Sequence, residues 1–182
     1  MDVNKLLSRY RAGEKDFSGA ILHQANLKNA DLSGINLCAA DLSGADLSRA
    51  NLRGSNLSRA NLTDADLTEA DLTDANLSEI NLIGADLMNA KLERANLQKA
   101  DLRSANLVNT NMYQANLVEA ELSAADLTKA NLNYANLTDS NINEAYINGA
   151  DLTKSNIITQ EINQTITYIG ISRRWISWAG SH

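Results

Sequence analysis

From Phe17 to Ile162, every fifth residue is leucine or another large apolar residue, and the spacing holds through 30 successive repeats. Two residues before each of these positions the chain mostly carries a small residue, alanine in 22 of the 30. Between the two sits Asp or Asn in most repeats, as in Ala45-Asp46-Leu47 and Ala115-Asn116-Leu117. A five-residue apolar period suits neither regular element. On an α-helix, residues five apart are rotated by about 140°, so the leucines would spiral around the axis. On a flat strand, an odd spacing sends successive leucines to opposite faces. The chain must therefore turn once per repeat. Alanine and leucine, two apart, point inward from a short extended segment while the polar residue between them points outward. The next two residues make the corner.

Corner chemistry is mixed. The second residue after each leucine is Gly, Asn or Asp in 12 of the 30 repeats. These types accept the positive φ that a type II turn requires. The other 18 corners are expected to use a different turn or to carry strain. Proline is absent, so no backbone donor is lost from a ladder.

The number of corners per coil is legible in one column. At steps of 20 the polar position reads Asn36, Asn56, Asn76, Asn96, Asn116, Asn136, Asn156, although Asn fills only 15 of the 30 such positions. Steps of 15 give no column as pure. Stacked amides hydrogen-bond along a column, which favours a four-sided coil of 20 residues and 7.5 coils in all. At about 4.8 Å per stacked strand the rod is roughly 36 Å long. Each buried leucine contributes roughly 1.5–3 kcal/mol. Ile35 and Ile80 replace the small inward residue and are expected to need local adjustment.

The ends differ from the repeats. Val3, Leu6, Leu7 and Tyr10 fall at i, i+3, i+4 and i+7, the stripe of a short helix with Asp2 as N-cap and Gly13 at the C′ position. So short a helix is marginal alone, and an array of repeats needs a capped end, so residues 1–14 are expected to cover the first coil. Repeats occupy 15–164, and 165–182 form a tail. That tail carries Trp175 and Trp178 among several isoleucines. It reads either as a lid over the last coil or as a docking segment.

Runs such as Ala60-Asn61-Leu62-Thr63-Asp64-Ala65-Asp66-Leu67 resemble the pentapeptide-repeat proteins, whose motif is A(D/N)LXX. The resemblance covers residues 15–164, and the lead-in from Leu6 to Phe17 looks like that of cyanobacterial members. It implies an all-β fold, a right-handed quadrilateral β-helix with leucine and alanine inside and a helical N-terminal cap.

Composition narrows the function classes. A net charge of −6 argues against direct nucleic-acid binding through a basic surface. A single cysteine, Cys38, excludes an internal disulfide and a cysteine-based zinc site. The start of the chain lacks the apolar run of a secretory signal, and no stretch approaches the roughly 20 apolar residues of a membrane span, so a cytoplasmic protein without membrane contact is expected. The two histidines, His23 and His182, lie at opposite ends, and no phosphate loop or metal-ligand cluster accompanies them. No catalytic residue, cofactor or metal is therefore expected.

Two surfaces remain as candidates. Asp41, Asp64, Asp101, Glu121, Glu144 and Glu161 share one face with a single opposing Arg103, for a net −5, while both ends of the chain are basic. The family resemblance implies a use for such a strip, because some members mimic B-DNA and bind DNA gyrase. One net charge per roughly 7 Å is a weak imitation of DNA's one per 1.7 Å or so, and a solvated surface is the simpler reading. The second candidate is apolar: Met88, Val108 and Tyr146 on one face, with Tyr113 and Tyr134 on the next. Contiguous exposed apolar residues mark interfaces, either with a partner or through weak self-association. The expectation is a non-catalytic rod that scaffolds or regulates through an unidentified protein partner, with a gyrase-binding DNA mimic as the alternative.

Overall fold

In the computed structural model, which describes residues 1–157, the outward Asp/Asn position of each repeat forms a parallel bridge with the residue 20 positions later. The series runs from Asp16↔Asn36 to Asn136↔Asn156. Four repeats therefore close one coil, as the asparagine column indicates. Each side contributes a single bridged residue, too short to grow into a longer strand. The bonds between coils repeat without variation. Leu22 N–H donates to the Asp41 carbonyl (2.7 Å), and Asp41 N–H donates to the Ala20 carbonyl (2.9 Å).

At the corners the structure selects one of the two expectations, strain rather than a different turn. The second corner residue has positive φ at every corner from Gly19 to Lys154, including Arg49 (58°), Glu79 (56°), Ala124 (57°) and Tyr134 (59°). One turn serves throughout, whatever the residue. Two sets of bonds impose it. The N–H of the second corner residue donates to the coil above, as Arg49 does to the Thr68 carbonyl (2.8 Å). The N–H of the first corner residue donates to the Oδ1 of the preceding Asp or Asn, as Ser48 does to Asp46 (2.9 Å) and Val108 to Asn106 (3.2 Å). This Asx turn holds the corner from its own side chain. An L-residue in this left-handed region costs about 1–2 kcal/mol. Glycine would remove that cost but adds roughly 0.5–1 kcal/mol of chain entropy. Ala124→Gly should therefore raise the unfolding free energy by up to about 1 kcal/mol, read as a higher urea midpoint. A lower midpoint would mean that the corner is unstrained, because only the entropy cost of glycine would then remain.

The interior is filled. Leucines from Leu22 to Leu137, together with Met112 and the inward alanines, are buried along the axis. Ile35 and Ile80 are buried as well. The adjustment at Ile80 is visible in its corner bond to Leu77, 3.3 Å against 3.0 Å for Ala75 to Leu72. Where Ser55 and Thr110 replace alanine, their hydroxyls donate to the carbonyls of Leu52 (2.7 Å) and Leu87 (2.9 Å), so no buried polar group is left unmatched there.

Helix α1 spans Val3–Arg11 and begins at Asp2, whose carboxylate accepts the Lys5 N–H (3.1 Å). Gly13 follows with φ 97°. Leu6 is fully buried, and Val3, Leu7 and Tyr10 pack against the coil core. The Tyr10 hydroxyl donates to the Ser33 carbonyl (2.7 Å). The helix covers the first coil, as its apolar stripe requires. Glu161, Trp175 and Trp178 lie outside the described residues. No helix among the described residues is long and apolar enough to cross a membrane.

Candidate interaction surfaces

Much of the polar surface is committed to the scaffold. Asn36 donates through Nδ2 to Asp16 (2.8 Å), Asn56 to Asn36 (3.0 Å), Asn76 to Asn56 (3.2 Å), Asn96 to Asn76 (3.3 Å) and Asn116 to Asn96 (2.9 Å). From Asn36 to Asn96 each amide oxygen also accepts a backbone N–H two residues later. Asp or Asn is needed here because only they place an acceptor at this distance from the main chain. The polar side chains outside this ladder are those of the two corner residues of each repeat and of the repeats that break the pattern.

The acidic strip is largely such scaffold. Asp41 accepts from the Ser43 hydroxyl (2.7 Å), the Ser43 N–H (3.1 Å) and Asn61 (3.3 Å). Asp101 is held by Arg103 through two bonds of 2.8 and 2.7 Å. Glu121 accepts from Asn141 (2.8 Å). Asp64 lies across Gly84, in the space a Cβ there would take. Glu144 is exposed. Among the described residues the strip is therefore a mixture of clamps, one ion pair and two exposed carboxylates, Asp64 and Glu144.

Three aspartates held by a Ser or Thr two residues later, Asp41, Asp46 and Asp71, titrate below the usual carboxylate range. The Ser43 hydroxyl and then its amide lower Asp41, and the Ser48 hydroxyl and amide do the same for Asp46. At Asp71, burial pushes upward, but the Thr73 hydroxyl and amide and the Arg53 charge together outweigh it. A folded pKa below the unfolded value of about 3.9 gives stability that is fully present above that value. It is lost as the pH falls through the folded pKa. The urea midpoint should stay level from pH 7 to 5 and drop below about pH 4. A midpoint that holds to pH 2.5 would show that the clamps work equally well protonated.

His23, Ser43 and Asp41 meet on this face, but in an order that cannot activate a nucleophile. His23 Nδ1 lies 2.9 Å from Ser43 Oγ, and that hydroxyl donates to Asp41. The serine stands between the histidine and the carboxylate, so nothing orients the imidazole as a base toward the serine proton. Among the described residues no cluster of His, Cys, Asp and Glu could hold a metal ion.

The tyrosine corner is a different kind of surface. The Tyr113 and Tyr134 rings meet edge to face, with centroids 5.7 Å apart and planes at 73°. Lys154, one coil above Tyr134, stands 4.8 Å over its ring and donates to its hydroxyl (2.6 Å). That hydroxyl raises the lysine pKa. Tyr134 is 45% exposed and has positive φ. Lys154 escapes a search for apolar residues, although it follows Tyr134 in the 20-residue column.

The other apolar candidates do not join this cluster. Met88 and Val108 are half-buried on consecutive coils, joined by the Asn89 N–H to Val108 carbonyl bond (3.0 Å). Tyr146 is 65% exposed and bridges Asp126, at the end of a 20-residue column that Asp or Asn fills from Asn26 to Asp126. Among the described residues, Tyr113–Tyr134 is the only ring-to-ring contact. Elsewhere the corners stack charge on charge, as in Arg49–Glu69 (3.0 Å), Arg59–Glu79 (3.2 Å) and Asp74–Arg94 (2.6 Å). Exposed pairs of this kind are screened by solvent and contribute little.

A family model described as pentapeptide repeats matches residues 12–37 and 40–79, and one described as a pentapeptide repeat region matches 84–157. No curated protein matches the chain. Among solved structures, HetL of the cyanobacterium Nostoc sp. strain PCC 7120, a pentapeptide repeat protein involved in heterocyst differentiation regulation, is 30% identical over 85% of this chain and 94% of its own, with a TM-score of 0.35. The pentapeptide repeat protein alr5209 from Nostoc PCC 7120 is 47% identical over 58% of this chain and 80% of its own, with a TM-score of 0.38. QnrB1, a plasmid-mediated fluoroquinolone resistance protein, is 18% identical over 86% of this chain and 97% of its own, with a TM-score of 0.51. At that identity the likeness to QnrB1 concerns the fold alone.

Proposed function

Because the chain belongs to the pentapeptide-repeat family, we propose that it is a non-catalytic, right-handed four-sided rod that regulates or scaffolds by binding another protein. The tyrosine corner carries this reading. It presents an aromatic pair and a cation, and tyrosine is enriched at the energetic centres of interfaces. HetL, similar over most of both chains, is described as involved in regulation, which agrees with a regulatory role.

The test is a capture experiment. Purified protein and the Tyr113→Ser/Tyr134→Ser variant are each used as bait in extract of the source cells. The wild type should retain a protein that the variant loses by about tenfold or more, as expected when hot-spot residues are removed. An unchanged set of captured proteins, with unchanged folding by circular dichroism, would remove this surface from consideration. DNA supercoiling by gyrase should be unaffected by excess protein, because the acidic strip is engaged by its own scaffold. Inhibition would replace the present reading with DNA mimicry.

A further inference from the structure

The tyrosine corner offers donors and withholds acceptors. The Lys154 ammonium uses one of its three protons on the Tyr134 hydroxyl. Among the described residues neither the Tyr113 nor the Tyr134 hydroxyl donates a hydrogen bond, so both protons are unspent. On the acceptor side, the Tyr134 oxygen is engaged by Lys154. The Oδ1 of Asn133, the residue before Tyr134, is buried without a partner and out of reach of an incoming N–H. That amide cannot be reversed to expose it, because its Nδ2 donates to the Asp151 carboxylate (3.4 Å) and a reversed amide would set oxygen against oxygen. Around the donors lies apolar ring surface, two rings at 73° with Tyr134 45% exposed. Charge does not select the occupant, because Asp151 in the same repeat and Glu93 one coil below Tyr113 offset Lys154. A cationic ligand is disfavoured as well, since Lys154 already stands over the Tyr134 ring.

We propose, resting on the reading of this corner as a protein-binding surface, that its occupant is a proline-rich segment of another protein in the polyproline II conformation. Proline carries a carbonyl acceptor but no N–H. It can take what Tyr113, Tyr134 and Lys154 donate and demands no acceptor in return. Polyproline II has no internal hydrogen bonds, which leaves every carbonyl open to a donor. The pyrrolidine ring is apolar and packs on aromatic surface, the pairing by which aromatic-lined sites hold such segments. The segment is already extended before it binds, so little conformational freedom is lost. Two rings and one cation form a small contact, too small to offset the ordering of a flexible chain. The 182 residues contain no proline, so neither a second copy nor another stretch of them can be this occupant.

The experiment uses the full chain, labelled with ¹⁵N, and a blocked peptide of about ten prolines, long enough for several turns of the helix. Saturable shifts of the Tyr113, Tyr134 and Lys154 amides are expected, with an affinity that changes less than about twofold between low and high salt. Tyr113→Ser/Tyr134→Ser should weaken binding about tenfold or more. Tyr113→Phe/Tyr134→Phe keeps the rings and removes two donors, and should weaken it about threefold or more. Circular dichroism and melting of both variants should match the wild type. No saturable shift, equal binding by a Ser-Ala peptide of the same length, or full affinity in the Phe variant overturns the proposal. So does a steep salt dependence, which would assign the corner to a charged ligand. If a captured protein is still lost when the two tyrosines are changed to serine, the corner binds protein and only the proline assignment has failed.

Discussion

Leu97→Ala is expected to lower the unfolding free energy by about 2–5 kcal/mol, the range for deleting a buried leucine where the surroundings collapse only partly. Leu97 has 0% exposure and stands in a column between Leu77 and Leu117. The coil cannot close on the void. Leu77 N–H is fixed to the Asn96 carbonyl and Leu97 N–H to the Asn116 carbonyl, both at 2.7 Å, so the ladder holds the coils at about 4.8 Å whatever fills them. Each coil contacts only its neighbours, and the loss should concentrate there. Amide exchange around Asn76, Asn96 and Asn116 should accelerate more than exchange near Asn36. Glu119→Ala, on the surface, should change the urea midpoint by no more than the equivalent of about 0.5 kcal/mol. A loss below about 1 kcal/mol for Leu97→Ala would mean that the interior relaxes like a loosely packed core.

Leu6→Asp should detach the cap. Leu6 has 0% exposure beneath α1, and a carboxylate there would be buried without a partner, at a cost of about 3–5 kcal/mol. The nine residues of α1 cannot remain helical away from the coil. The helical signal in circular dichroism should fall, and the amides of Leu7 and Tyr10 should lose protection while those of the Asn116 coil keep theirs. Exposed leucines at the freed end should also raise dye binding and self-association. Retained protection of the Tyr10 amide would show that the helix is held by other contacts, with the Tyr10–Ser33 bond the first to remove.

Residues that contact only their own column were the most legible in sequence. Leu and Ala positions declare the interior, and Asn36 to Asn156 declare the coil length, because each must fit an identical neighbour 20 residues away. Corners were less legible. Arg49, Glu79 and Tyr134 carry no local preference for positive φ, and the bonds that impose it come from Thr68, Gln98 and Thr153 in the coil above. The partners of the acidic strip were less legible for a related reason. Counting charge treats Asp41 and Asp101 alike as free carboxylates, whereas Ser43, Asn61 and Arg103 already occupy them. The signal was present, since a Ser or Thr two residues after an Asp is the composition of an Asx turn. The tyrosine corner depended on the column as well, because Tyr113 and Lys154 become neighbours of Tyr134 only once the coil length is known.

The fixed 20-residue offset sets a grammar for lengthening and shortening this protein. Removing or inserting 20 residues leaves every column intact, since each residue above the change still finds the same kind of neighbour below. Removing or inserting a single five-residue repeat leaves the interior equally satisfied, yet turns everything above it by a quarter. Asn96 would then stand over a neighbouring column, and Lys154 would no longer reach Tyr134. Gene duplication can therefore extend the rod freely in quarter turns, but only whole turns preserve what is written on its sides.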